Sequence, residues 1–330
     1  MKMIFTADDY GVVDVIDNAV LEAIKLKLVN SVAVFPNGNN LHERVRRLKE
    51  AAEEANVDLQ IGCHLTFCSG KPLTENIHYN FIKKKSGRFR PFNDQRRAKK
   101  RHEEDEINSL RNEIKAQYNQ LKTVMDEYDL TIKHFTCHHN TLCWFKEYFV
   151  AYTDLANHYK LPIRSPLFIP DDQFETYKKS MGFLTWSFGS IRTGDSFTKW
   201  RKRYMRVYKE VVTLNNNIYP DVAFTDHIGP IPAWLKLRDF EMQAEFAKKQ
   251  EALDNLFEKH ADNHDIIEVV LHLAEYRPDR VKESRDEMRK AKYKGVNPLS
   301  VEGRMLEMKS IKEYPFPAEM QRVPWPAYAD

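Results

Sequence analysis

The chain has 330 residues, 42% of them apolar and 30% charged, enough for a large core around a soluble exterior, and no stretch approaches the roughly 20 apolar residues of a membrane helix. A net charge of +3 is too small to imply nucleic acid or an anionic membrane as a partner. Four cysteines (Cys63, Cys68, Cys137 and Cys143) and a first strand with no leader ahead of it predict free thiols and a cytoplasmic location.

The opening run Ile4-Phe5-Thr6-Ala7-Asp8-Asp9-Tyr10-Gly11 reads as a first strand that delivers two adjacent carboxylates to its C-terminal end. One acid can hold a metal while its neighbour stays free to take a proton. Apolar residues at helical spacing follow from Val12 to Leu28, then a strand over Asn30–Phe35 closed by Pro36-Asn37-Gly38, and a charged helix over Leu41–Ala55. Val57–Leu65 reads as a third strand ending in His64. Residues 68–92 read as loop, with Gly70, Pro72, Gly87 and Pro91 as breakers. A long helix is expected over Glu103–Tyr128, a strand over Thr131–Cys137, a helix over Trp144–Tyr159 and a short strand over Leu161–Arg164.

The pattern weakens between Ser165 and Trp234. It returns as a helix near Leu237–Lys259, a strand over Asp265–His272 and a last helical segment over Ser300–Lys309, before a Pro-rich extended tail at about 310–330. Alternating βα units without a Gly/Ser linker or repeats predict one domain over 1–330, an α/β fold of distorted TIM-like barrel type with inserted loops. The insertions are a basic one at about 76–102 and a substrate-loop region at about 165–234. The Lys/Arg run from Lys83 to Arg101, with Asp94 its single acid, is read as solvated loop and helix start, with contact to an anionic (phosphorylated) sugar as the alternative; no nucleic-acid-binding motif accompanies it.

Strand ends of a parallel α/β barrel face one cavity. That topology gathers Asp8, Asp9, His64, His138, Arg164 and His272, and two His with one Asp make a catalytic type of metal site with positions left open. Residues two apart share a strand face, so His134, Thr136 and His138 go together. A thiolate site from the four cysteines is disfavoured because none forms a C-x2-C knuckle. Arg164 is expected to brace Asp8, to hold substrate or to make a surface ion pair. Trp186, Trp200 and Trp234 are candidates for sugar stacking or for core packing. Asp226 and His227, in Asp226-His227-Ile228-Gly229, are expected on a loop at the cavity mouth.

These motifs, in this order, resemble those of the YdjC/ChbG-like carbohydrate deacetylase family. The matching text is Ala7-Asp8-Asp9-Tyr10-Gly11, Asn37-Gly38, Gly62-Cys63-His64-Leu65 with Gly70-Lys71-Pro72-Leu73, the segment His134 to Asn140, and Glu268-Val269-Val270-Leu271-His272. The resemblance implies removal of N-acetyl groups from a small acetylated amino sugar or chito-oligosaccharide with one divalent metal ion, Mg2+ or Zn2+. Asp9, His64 and His138 would be its ligands, Asp8 the general base and His272 a general acid. A divalent cation lowers the pKa of its bound water, the nucleophile in this reaction, and polarises the amide carbonyl.

Three positions depart from the family pattern. Thr136 stands in place of Asp, Asn140 in place of His and Leu273 in place of Pro. They raise two alternatives: a different substrate, or a catalytically weakened sugar-binding or regulatory protein. Another metal-dependent barrel hydrolase, such as a phosphoesterase, is the enzymatic rival. The expected partner is a small acetylated carbohydrate, not nucleic acid or a membrane, and a homo-oligomer is left open.

Overall fold

The computed structural model describes residues 1–91, 103–143, 145–164, 222–227, 239–260, 266–291 and 301–327. It is an α/β fold around a mainly parallel sheet. Strand β1 (Lys2–Tyr10) is buried from Met3 onward on both faces, the signature of a parallel strand covered by helices on either side. Helix α1 (Asp14–Lys25) lays Val15, Ile16, Ala19, Val20, Ala23 and Ile24 on the sheet, the stripe that the sequence period predicts. Then come β2 (Ser31–Val34), α2 (Leu41–Ala55) and β3 (Gln60–Leu65), all near their expected bounds.

The segment expected as loop after Cys68 contains a small antiparallel hairpin, β4 (Ile82–Lys83) and β5 (Arg88–Phe89). Phe67, Phe81 and Phe89 pack together beneath it, and this apolar contact rather than strand propensity holds it. Helix α3 (Glu104–Asp126) leads to β6 (Ile132–Cys137), a 3-10 turn (His138–Cys143) and α4 (Lys146–His158). The strand expected over Leu161–Arg164 shrinks to one parallel bridge between Phe135 and Ile163. Pro162 has no N–H to donate to a ladder, although its carbonyl accepts from the Phe135 N–H at 2.8 Å.

Beyond lie β7 (Val222–His227), α5 (Asp239–His260), β8 (Ile266–Leu271), α6 (Val281–Lys290), α7 (Val301–Glu313) and β9 (Gln321–Arg322). The pairing order is β6-β3-β2-β1-β8-β7. Closure into a barrel is neither detected nor excluded by the described residues. Two expectations need correction. Asp226 and His227 belong to a strand, in register with Val269 and Val270 of β8, instead of to a loop. The tail is helical as far as Glu313, and β9 then pairs parallel with Lys2 and Met3, at the N-terminal end of β1 and away from the acids. Trp325 follows it inward, donating its indole N–H to Ser31 Oγ at 3.1 Å and stacking on His134 at 4.3 Å. Trp186, Trp200, Trp234 and residues 92–102 of the basic insertion lie outside the described residues, and among the described helices none is long and apolar enough to cross a membrane.

Candidate active site

β1 carries the two acids, and its geometry changes where they occur. The β1–β2 register shifts between Ala7 and Tyr10, and Asp9 takes φ 69°, a left-handed conformation unusual for a non-glycine residue. Asp8 and Asp9 are thereby both buried while serving different neighbours. Asp9 Oδ1 lies 3.0 Å from His138 Nδ1 and 3.4 Å from His64 Nε2, and those two nitrogens are 3.3 Å apart. His64 comes from β3; His138 opens the 3-10 turn after β6. Asp9 Oδ1 is buried, and these two imidazole nitrogens are what it faces.

Three donor atoms at such separations suit one cation. With bonds of about 2.0–2.2 Å, ligands at octahedral to tetrahedral angles stand roughly 3.0–3.5 Å apart. A buried aspartate oxygen facing two imidazole nitrogens offers three ligand atoms that could hold a metal ion. Cys68, His138 and His139 form a second group of possible ligands. It borrows His138 from the first, so it is no independent site, and the thiolate cluster of all four cysteines does not form: each is a free, buried thiol.

The outer atoms of the trio are held. Thr136 Oγ1 lies 2.7 Å from His64 Nδ1. Arg304 on α7, itself fully buried, donates from Nη2 to Asp9 Oδ2 at 2.6 Å. Burial pushes the Asp9 carboxyl up, but His138 and Arg304 outweigh it and hold the group well below the usual carboxylate range. Burial pushes the His64 imidazole down, and Asp8 and Asp9 offset this in part. His64 is therefore neutral near pH 7, as a ligand must be.

Asp8 is engaged by Arg164. Nη1 and Nη2 donate to its two oxygens at 2.6 and 2.8 Å, while Nε and Nη2 also reach Glu268 at 2.8 to 3.0 Å. Burial raises the Asp8 carboxyl, yet Arg164, followed by His64, brings it below the ordinary range. These contacts are the ones the bracing role calls for, and at 7% exposure Arg164 makes no surface ion pair. His272, just past β8, is half-buried and close enough to Asp8 to lower its pKa. Its backbone N–H donates to Glu307 Oε2 at 2.6 Å, and Glu307 in turn pairs with buried Lys249 at 3.5 Å.

His134, expected to share the face of Thr136 and His138, lies deeper. Its ring stacks on Trp325 and stands where a Cβ on Gly62 would fall, 2.1 Å from His134 Nε2. Asn140 and His139 both take left-handed conformations, with φ 51° and 56°. Arg304, Glu307 and Lys249 were not among the sequence candidates. The available signal was α7 itself, whose Val301-Glu302-Gly303-Arg304-Met305-Leu306-Glu307-Met308 mixes charged and apolar residues without a stripe, as befits a helix buried all round.

A family profile described as YdjC-like protein matches residues 2–314. A protein of Clostridium beijerinckii named "Carbohydrate deacetylase" is 24% identical over 184 residues, covering 56% of this chain and 68% of that protein. A Listeria monocytogenes protein of the same name is 29% identical over 140 residues, with 42% and 52% covered. In the solved structures, an Enterococcus faecalis V583 protein named for cellobiose-phosphate cleavage aligns with a TM-score of 0.54 at 19% identity, over 94% of this chain and 92% of that one. That likeness speaks for the fold.

Proposed function

The chain belongs to the YdjC-like protein family, and from that premise we propose that it is a metal-dependent carbohydrate deacetylase hydrolysing the N-acetyl group of a small acetylated amino sugar. The observation that carries this reading is the Asp9–His64–His138 triangle with the Arg164-bound Asp8 beside it. Relatives named carbohydrate deacetylases support the reaction class.

Asp9, His64 and His138 would hold one divalent cation, Mg2+ or Zn2+. Bound there, such an ion supplies Lewis acidity, making a nearby water more acidic and drawing charge from an amide carbonyl. Asp8 accepts the proton of the attacking water. Its lowered pKa makes it a modest base in thermodynamic terms but keeps it ionised at every working pH, and Arg164 fixes its orientation. His272 delivers a proton to the departing amine nitrogen. Glu307 holds the backbone that carries that imidazole. The C–N bond breaks, acetate and a free amino sugar leave, and exchange with solvent takes the proton from Asp8 and returns one to His272. Asp226 and His227, level with Val269 and Val270, are assigned to the substrate-facing end of the sheet, with Trp234 as a stacking candidate.

The test is acetate release from N-acetylglucosamine and its short β-1,4 oligomers after stripping and reloading with Zn2+, Co2+ or Mg2+. Activity that needs added metal and is lost in Asp8→Asn and Asp9→Ala supports the proposal. Metal-dependent sugar binding without acetate release supports the weakened sugar-binding alternative, which Thr136 in place of Asp motivates. Phosphate release from a sugar phosphate would instead favour the phosphoesterase.

A further inference from the structure

We propose that Arg304 is a positioning residue for Asp9, so that the C-terminal helix α7 is part of the metal-binding apparatus; this rests on the reading of Asp9, His64 and His138 as ligands of one cation. The residue pair is separated by 295 positions in the chain and joined by 2.6 Å in space. The carboxylate divides its two oxygens: Oδ2 takes the guanidinium, and Oδ1 faces both imidazole nitrogens. A free carboxylate can rotate, or chelate through both oxygens. Arg304 allows Asp9 one orientation and leaves one oxygen to donate.

The surroundings make this a fixed bracket. Arg304 is 0% exposed and Asp9 is 0% exposed, so no solvent competes for their contact. Asp9 sits at the bulge of β1 with φ 69°, and a backbone so placed persists only when its neighbours over-determine it. One helical turn on, Glu307 grips the His272 N–H at 2.6 Å, and the Arg304 carbonyl accepts from the Ala274 N–H at 3.3 Å. Residues three apart share a helix face, so a single face of α7 fastens the end of β1 and the chain just after β8. Ligand-orienting partners of this kind typically change metal affinity by about 10–100-fold.

An opposing effect exists. A guanidinium near a divalent cation repels it, and if repulsion outweighed orientation, removing Arg304 would tighten binding. The experiment decides between them. Co2+ affinity and the visible Co2+ spectrum are measured for wild type, Arg304→Met and Arg304→Lys, with Tyr148→Phe as a variant that loses a buried hydrogen bond to Glu106, outside the trio and its orienting partners. The expected result is about 10–100-fold weaker binding for Met, partial recovery for Lys, and wild-type affinity for Tyr148→Phe. A weaker visible band is also expected in Met, because Asp9 can then bind through both oxygens and raise the coordination number. Unchanged or tighter binding in Arg304→Met overturns the proposal. Should that variant not fold, unchanged affinity and spectrum in Arg304→Lys overturn it equally. A wild type that binds no Co2+ at all sinks the metal reading itself, a failure distinct from the other two.

Discussion

Thr136 Oγ1 lies 2.7 Å from His64 Nδ1, and the contact decides which ring nitrogen faces Asp9. With a proton on Nδ1 donated to the hydroxyl, Nε2 keeps its lone pair for a cation. Thr136 therefore occupies the orienting position where the family pattern has Asp, but as a neutral acceptor it makes the imidazole less basic. Thr136→Val, which keeps the shape and deletes the hydroxyl, is expected to weaken Zn2+ or Co2+ binding by about 10–100-fold. Thr136→Asp is expected to strengthen it. Calorimetric titration of stripped protein checks both, and equal affinities in all three proteins would show that the contact orients nothing.

Arg164 joins two buried carboxylates, Asp8 and Glu268, which would otherwise repel each other in the sheet interior. Arg164→Gln leaves both without their cation and should cost about 3–5 kcal/mol. The sign with pH follows from linkage. In wild type the folded Asp8 pKa lies below its unfolded value of 3.8, so its contribution is complete above that value and fades only as pH falls through the folded pKa. Without Arg164, burial, the largest influence on Asp8, is opposed only by the weaker pull of His64 and His272, so the Asp8 pKa rises and the variant loses stability as pH climbs through 4 and beyond. The gap between wild type and Arg164→Gln in metal-free urea unfolding should thus be wider at pH 7.5 than at pH 4.5. A gap independent of pH would mean that Asp8 is not the group Arg164 serves.

The trio and its partner Asp8 were legible because each follows an apolar run, and a parallel sheet converts such strand ends into neighbours. Arg164 was legible for the same reason, although its bracing role was one of three. What stayed hidden were charges that fold inward. Arg304 and Glu307, three apart on a helix, and Lys249 on another look like solvated faces, and only the packing of α7 against α5 and the sheet reverses that reading. The strand β7 was hidden because Asp226 and His227 at its end resemble loop residues. Period-two reasoning placed His134 with His138, but the site begins only where β6 ends, and His134 lies four residues below it.

Gly62 pairs with His134 across β3 and β6, and the absence of a side chain is what admits the imidazole. A Cβ there would fall 2.1 Å from Nε2 and 2.5 Å from two ring carbons. Gly62→Ala must displace a ring that is itself pressed against Trp325, so a loss of about 1–3 kcal/mol is expected, the range for overpacked cores. Thermal unfolding measures it. Gly62→Ala combined with His134→Ala should recover part of the loss, because the second change removes the obstacle. Additive losses in the double variant would place the clash elsewhere.

His134 itself is a cost to the fold. It is fully buried, and among the described residues neither ring nitrogen has a hydrogen-bond partner. Burial accordingly holds its pKa well below 6.5. A histidine kept neutral when folded but free to protonate when unfolded makes the unfolded state bind more protons as pH drops under 6.5, so stability must fall with acidity there. His64, also shifted down, contributes in the same direction. His134→Leu removes an unsatisfied polar group while keeping an apolar side chain against Trp325, and should stabilise by about 1–3 kcal/mol. It should also flatten, without abolishing, the decline between pH 6.5 and 5, because His64 remains. Denaturant unfolding of metal-free protein across that range tests both parts. A destabilised Leu variant with an unaltered pH slope would mean that the imidazole gains more from Trp325 than its buried nitrogens lose.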